Sequence, residues 1–418
     1  MRPGAAPREA ALAILRAVRS GATFDQALDQ ALPTLDPLDR RLAHEIAAGV
    51  LRERTSLDRT IRGVLTHPKR RLPTDIHDVL RIGAYQLRYL DRVPPHAAVD
   101  SGVELAKSAG NGSVGLVNAV LRRLAAQTEG SEDEQTDLAT RYSHPGWLVD
   151  RWIGQFGAER SERLLASNNC RPPLTIQPAR WDGRRLMRAL ERAGVRARVL
   201  PEDRGIILEG IRSVSAIPGF ADGAFVVQDQ AQRRLLAFAG IPDGATVWDA
   251  CAAPGGKAAV LGRSCHVIAT DSSRRRVHRL LETVRRAAPS VTVLPADAAR
   301  PPWRDETFDW VLIDAPCSGT GAMARHPDAR WRLAPKSIAT AVERQRAILE
   351  ATSATVRQGG TLVYLTCSLE VEENHQQIDR FLDRHPEFSR GREDLVQFPS
   401  EGSDGGYGAC VTRTGREG

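Results

Sequence analysis

The stretch Asp309-Trp-Val-Leu-Ile-Asp314-Ala-Pro316-Cys317-Ser-Gly319-Thr-Gly321 decides how the second half of this chain folds. A short apolar run ends on a carboxylate, and a proline then removes a ladder donor, so the strand stops there. A cysteine follows in a glycine-rich turn, which is how a buried parallel strand delivers reactive groups at its carboxyl end. A second cysteine stands in the same setting in Leu362-Val-Tyr-Leu-Thr366-Cys367-Ser368. Two strand-end cysteines with an aspartate between the strand tips point to a nucleophilic site. The competing reading of each is a packed one, because free Cys is among the most buried residue types.

Outward from this stretch, strands alternate with helices. Strands are expected at Thr246–Asp249, His266–Asp271, 291–294, 310–313 and 361–365, and helices notably at 273–287 and 342–357. Apolar strands separated by helices imply a parallel sheet covered on both faces. Residues 224–418 therefore read as a doubly wound α/β domain whose ligand lies across the carboxyl ends of its strands.

The N-terminal part reads differently. Ala11, Leu15 and Val18 recur at helical spacing, as do Leu57, Ile61, Val64 and Leu65, then Leu80, Ala84 and Leu87, then Leu116, Val120 and Leu124. Asp36 and Pro37 supply an N-cap and a first-turn proline, while Pro73, Pro94, Pro95 and Gly110-Asn-Gly112 punctuate the rest. Residues 1–126 are expected to form an all-α bundle. Residues 127–140 are polar and acidic, as a linker would be. In 141–223, strand-like runs at 174–177, 197–200 and 205–208 and a helix capped by Asp182 indicate a small α+β domain.

Charge sharpens this division. Residues 1–126 carry 19 Lys and Arg against 13 Asp and Glu, so they hold +6 of the formal net charge of +7. A basic module suggests an anionic partner such as RNA, although a solvated helical surface would also account for it. The six cysteines form no C-x-x-C pair and no zinc-type spacing, so no metal is expected and a reducing, cytoplasmic setting is inferred. No signal core or membrane span is evident.

After the first strand of the α/β domain comes Asp249-Ala-Cys251-Ala252-Ala253-Pro254-Gly255-Gly256-Lys257. Adjacent glycines let the backbone approach a ligand at a helix start. The run fits neither the Walker nor the G-x-G-x-x-G spacing. Asp271 ends the second strand, where a carboxylate can accept both ribose hydroxyls. Asp297 follows the third strand, placed to approach an adenine. Acids at successive strand ends without a phosphate grip suit a nucleoside bearing a cation, S-adenosylmethionine. Helix capping is the alternative for each aspartate taken alone.

Leu80-Arg-Ile-Gly-Ala-Tyr85-Gln-Leu87, Val93-Pro-Pro-His96-Ala-Ala-Val99 and Gly115-Leu-Val-Asn118-Ala-Val-Leu121-Arg-Arg123 resemble the NusB-type RNA-binding domain. The 249–257 loop, Asp314-Ala-Pro-Cys-Ser-Gly-Thr-Gly321, Arg325-His-Pro-Asp328 and Thr366-Cys-Ser368 resemble the successive motifs of RNA cytosine-C5 methyltransferases. Together with the order of the domains, they resemble bacterial 16S rRNA enzymes of the RsmB/Sun type. That resemblance implies a Rossmann-like methyltransferase domain and a covalent mechanism, with Cys367 the nucleophile that adds to carbon 6. Cys317 would act in product release and Asp314 on the ring nitrogen. Residues 251–257, Asp271, Asp297 and Asp314 would bind S-adenosylmethionine, with Lys257 favouring the thiolate. The partner would be 16S rRNA and the enzyme a monomer. Rival readings are the same chemistry on tRNA or another rRNA site, a protein or small-molecule methyltransferase, and a non-catalytic NusB-like antitermination factor. The chain departs from the family pattern at Gln232, after Val227-Gln-Asp229-Gln-Ala231, and at Asp404-Gly-Gly406-Tyr407, where paired aromatics are usual.

Overall fold

A computed structural model describes residues 4–69, 71–109, 113–127, 136–202, 204–211, 213–400 and 402–414. The expected turn at 110–112 and most of the expected linker, 128–135, lie outside the described residues. The chain forms two compact units: residues up to Cys170 with Met323–Arg332, and Arg171–Ala322 with the residues from Leu333 on.

The first unit is helical. It comprises α1 (Ala5–Arg19), α2 (Phe24–Ala31), α3 (Pro37–Arg52), α4 (Arg54–Val64), α5 (Thr74–Tyr89), α6 (Pro95–Ala109) and α7 (Val114–Ala126), followed by α8 (Leu138–Arg141), α9 (Gly146–Phe156) and α10 (Ala158–Asn169). Thr23 and Gln26 close a reciprocal capping box at the start of α2, and the Asp36 carboxylate accepts from Leu38 and Asp39 at the start of α3. The apolar stripes converge on one core holding Leu12, Ile46, Leu57, Ile61, Leu80 and Leu121. Each such side chain contributes ~1.5–3 kcal/mol by leaving water. Charge is buried here as a closed network. Arg81 donates to Asp58 at 2.7 Å and to Asp78 at 2.8 Å, while Arg19 joins Asp75 and Asp78.

The second unit begins with β1 (Leu174–Pro178), α11 (Gly183–Arg192), β2 (Ala197–Val199), β3 (Ile206–Leu208) and β4 (Phe225–Val227). These strands form an antiparallel sheet in the order β2-β3-β1-β4, with α11 capped by Asp182 as expected. After α12 (Gln230–Ala239) come β5 (Thr246–Asp249), α13 (Gly256–Leu261), β6 (His266–Asp271), α14 (Arg274–Ala287), β7 (Thr292–Pro295) and β8 (Phe308–Asp314). The chain then contributes Met323–Arg332, including the single turn α15 (Ala329–Arg332), to the helical unit. It continues with α16 (Pro335–Ser353), β9 (Val356–Thr366), α17 (His375–Arg384), β10 (Phe388–Arg390), β11 (Leu395–Gln397) and β12 (Gly406–Arg413).

The large sheet runs β10-β12-β9-β8-β5-β6-β7, with β11 paired to β12. Two features differ from the sequence reading. The sheet is mixed: β5 to β9 are parallel, but β12 runs antiparallel to β9 and carries β10 and β11. The helix expected at 342–357 instead starts at Pro335, whose fixed φ suits a first turn, and ends at Ser353. Thr352 and Ser353 there turn their hydroxyls back onto carbonyls of the preceding turn.

Strand alternation splits the apolar residues between two layers. Val247, Leu312, Val363 and Leu365 pack with Leu235, Ala258, Leu280 and Val284 of α12, α13 and α14. Trp248, Val311, Ile313, Leu362 and Tyr364 pack with Ile348, Ile378 and Phe381 of α16 and α17. Both faces are covered, so the polar strand tips are left to form the site.

Candidate active site

Parallel pairing sets Ile313 beside Tyr364 and Asp314 beside Leu365. The turns leaving β8 and β9 therefore begin level with each other. Cys317 and Cys367, fifty residues apart in sequence, meet with their sulfurs 3.2 Å apart. The contact with Cys367, and next burial, push the Cys317 thiol well above its ordinary range. Either sulfur can donate to the other across this contact.

The two turns are knitted together by backbone. Gly321 donates its N–H to the Cys367 carbonyl at 2.9 Å, and Gly405 donates to Gly321 at 2.7 Å. A Cβ at position 321 would lie 2.7 Å from the Gly405 oxygen and 2.9 Å from that of Cys367, so only glycine fits. Gly406, which stands where the first of two aromatics was expected, is under a similar constraint: a Cβ there would lie 2.5 Å from the Thr366 carbonyl oxygen. Tyr407 is fully buried and pairs with Thr366 across β12 and β9.

The loop after β5 turns through Gly255, whose φ of +104° is left-handed and whose Cβ would meet Leu280 at 2.9 Å. From α13, Lys257 directs its ammonium to Asp314 Oδ2 at 2.6 Å and Gln232 Oε1 at 2.5 Å. Lys257 is thus committed to a carboxylate and an amide, where the sequence reading had it favouring a thiolate. Gln232, the departure from the family pattern, is one of its two anchors.

A cleft at these strand tips brings together Cys251, Ala253, Asp271, Asp297, Asp314, Cys317 and Cys367. Ala252, Pro254, Gly255, Gly256 and Lys257 shape the loop from off the cleft wall. Burial, and then the charge of Asp249, push the Cys251 thiol far up, away from the thiolate form. Sequence reasoning missed Ser272, Arg276, Arg344 and Ile348 on the same wall. Arg276 carried a signal, falling in the first turn of the helix that Ser273 caps. Arg344 and Ile348 come from α16, far along the chain.

The donor set suits a cationic nucleoside. Ser273 N–H and Arg276 both bond Asp271 through Oδ1, and Oδ2 takes neither bond. Asp297 is exposed and accepts from Ala299 N–H at 3.1 Å. Beneath them Asp249 is fully buried, and neither of its oxygens has a hydrogen-bond partner. Burial, then the negative charge of Asp314, push its carboxyl up to about 8. Among the described residues no group of side chains could hold a metal ion, and no helix is long and apolar enough to cross a membrane.

The Arg325-His-Pro-Asp328 motif belongs to the helical unit. Asp328 is buried there, accepting from Phe24 N–H at 3.1 Å and Arg332 Nε at 2.6 Å. Arg330 donates to the Asn169 side chain at 2.6 Å and the Asn168 carbonyl at 2.9 Å. A cleft of about 520 Å³ in this unit, lined in part by Leu15, Arg54 and Trp331, holds none of the expected site residues.

Comparison with known proteins agrees with this geometry. Residues 239–405 match the family model of the 16S rRNA methyltransferase RsmB/F, residues 5–126 that of the NusB family, and residues 144–215 that of the RsmF/B-like ferredoxin-like domain. The chain is 36% identical to the probable ribosomal RNA small subunit methyltransferase B of Synechocystis sp., over 91% of this chain and 90% of that one. The fold is similar to the crystal structure of PH0851, with a TM-score of 0.81, 24% identity and coverage of 98% of this chain and 99% of that one. It is similar also to NSun6 from Pyrococcus horikoshii with SFG, with a TM-score of 0.58, 17% identity and coverage of 64% and 98%. A helical NusB-like domain, a ferredoxin-like domain and a Rossmann-like methyltransferase domain follow one another along the chain, and the protein belongs to the RsmB/F family of 16S rRNA methyltransferases.

Proposed function

We propose that the protein methylates carbon 5 of a cytosine in 16S rRNA, using S-adenosylmethionine and a transient bond from Cys367 to carbon 6 of the base. The observation that carries this reading is the 3.2 Å approach of Cys317 and Cys367 beside Asp314 in one cleft. Carbon 5 is a poor nucleophile. When the Cys367 thiolate adds to carbon 6, a sulfur–carbon bond forms and the ring double bond's electrons make carbon 5 enamine-like. Asp314, with Oδ2 held by Lys257 and a proton on its other oxygen, would hydrogen-bond to or protonate the ring nitrogen, passing that proton to it. The 251–257 loop, Asp271, Asp297 and Asp314 would hold S-adenosylmethionine, which when bound supplies a methyl group on a sulfonium. Release requires the carbon 5 proton to leave and the bond from Cys367 to carbon 6 to break, which returns the thiolate. Cys317, once its own proton has gone, or a water beside it would take that proton.

The base must be unstacked to expose its face to sulfur. Residues 1–126 would engage RNA, 127–140 link, 141–223 present RNA to the site and 224–418 carry the chemistry, in a monomer acting in the cytoplasm. The test is to incubate the protein with labelled S-adenosylmethionine and 16S rRNA and map the label. Label on cytosine carbon 5, lost in Cys367→Ala, is expected. In Cys317→Ala, RNA-linked protein should accumulate on a denaturing gel. Label at another atom, or an active Cys367→Ala protein, overturns the reading.

A further inference from the structure

Glu373 lies in the loop after Cys367, is fully buried, and has no place in the chemistry above. Its carboxylate reaches across to the neighbour of the other cysteine. Ser318 N–H donates to Oε1 at 2.9 Å and to Oε2 at 3.2 Å, and the Ser318 hydroxyl donates to Oε2 at 2.7 Å. The same hydroxyl lies 3.1 Å from that of Ser368, which lies 3.3 Å from that of Thr320. The Glu373 end is itself fixed. Its carbonyl accepts the Tyr364 hydroxyl at 2.7 Å. Next to it, Asn374 accepts from Thr366 at 2.7 Å and donates to the Ser368 carbonyl at 3.0 Å. Thus one cysteine's neighbour, Ser318, is bound by a side chain from the other cysteine's loop, and that loop is tied to the end of β9 before the thiol and to Ser368 just after it.

We propose that Glu373 is a positioning residue that holds the Cys317 and Cys367 turns in fixed relation, so that both sulfurs serve the same bound base. This rests on the roles given to the two cysteines above. Glu373 touches neither sulfur; it acts through Ser318 and Ser368. Burial raises its carboxyl above the ordinary carboxylate range, and hydrogen bonds from Ser368 and Ser318 limit that rise. Misplacing a reacting group by about 1 Å costs ~10²-fold in rate, so a clamp of this kind has kinetic weight.

Two measurements on the full chain test it. The first is bridging of the thiols by dibromobimane, which fluoresces only when two sulfurs each displace a bromide; Cys317→Ala gives the background from other cysteines. The second is single-turnover methyl transfer to 16S rRNA, with the KM for S-adenosylmethionine. In Glu373→Ala, bridging should slow at least ~5-fold and methyl transfer ~10²-fold, with KM within about twofold, because the 251–257 loop is untouched. Glu373→Gln should recover part of both, since its amide oxygen still accepts from Ser318, and it carries the test if the alanine variant does not fold. Wild-type bridging in both variants, or rates and KM that change together, would overturn the clamp. Slow bridging with normal methylation would overturn its link to catalysis. An active Cys367→Ala protein would instead remove the covalent reading and leave the bridging result standing.

Discussion

Buried carboxyl groups are handled in opposite ways by the two units: ionised and paired in one, unpaired and protonated in the other. In the helical unit Asp58, Asp78 and Arg81 satisfy one another, and burial, which would raise the Asp58 carboxyl, is outweighed by hydrogen bonds from His77 and Arg81 that hold it well below its ordinary range. At the strand tips of the other unit, Asp249 is more deeply buried still, and its oxygens accept no hydrogen bond of good geometry. The first arrangement is what a stable interior requires, because a buried ion with its partner removed is costly. The second is tolerated where a ligand is to be met, and local rules are commonly broken at such places. Stability and chemistry are therefore separable in this chain by mutation.

The sharpest separation is Cys367→Ala. Methyl transfer should fall by more than ~10³-fold while the unfolding midpoint stays near that of the wild type, since the cysteine leads no hydrophobic core. A comparable loss of midpoint would erase the contrast. Asp58→Ala should do the reverse, costing ~1.5–3 kcal/mol by removing two of the bonds to Arg81, which keeps Asp78, with the single-turnover rate of the remaining folded protein unchanged. Urea titration and rate measurement on the same samples decide it.

Gly321→Ala tests the border between the two behaviours. The added methyl must displace the Gly405 or Cys367 carbonyl, so about 1–3 kcal/mol of stability should go together with activity. Full activity would show that the turns need not be so close.

Asp249 gives a subtler signature. Its folded carboxyl stays protonated to about pH 8, whereas the unfolded one ionises near 3.8. The folded state therefore binds the extra proton between these values, and stability is full below about pH 4 and falls as pH rises towards 8. The fall is at most ~1.4 kcal/mol per pH unit. Asp249→Asn should flatten that slope in the ligand-free protein; an unchanged slope would mean that the carboxyl is not the source.

The smallest effect concerns RNA. Binding through phosphates weakens with salt, but Arg16, Arg19 and Arg81 are engaged with aspartates inside the helical unit. Replacing Arg16 should change the salt slope by less than one charge, and a full unit or more would show that it leaves Asp75 for phosphate.

Much of this was legible in the chain. Helical stripes such as Leu57, Ile61 and Val64 proved to be core, and the alternation in Leu362-Val-Tyr-Leu365 did divide between two layers, because periodicity is a local property that burial reads directly. The meeting of Cys317 with Cys367 could be suspected from matching strand ends, but the register that sets it depends on pairing between residues some fifty apart. Glu373 and Gln232 were not legible for that reason: nothing beside them in sequence names Ser318 or Lys257 as partner. The length of β12 and its antiparallel pairing were also hidden, since glycines and a lone tyrosine give a weak strand pattern.

The crossover from β8 to β9 lends ten residues, Met323–Arg332, to the helical unit. Those residues lie between the two thiols along the chain. Cutting the protein down to a minimal catalytic fragment beginning at Arg171 would therefore leave Asp328 without Phe24 and Arg330 without Asn168 and Asn169, in the very connection that joins one sulfur to the other. A fragment that keeps both sulfurs but drops the residues up to Cys170 thus leaves part of its own crossover without the partners that pack it.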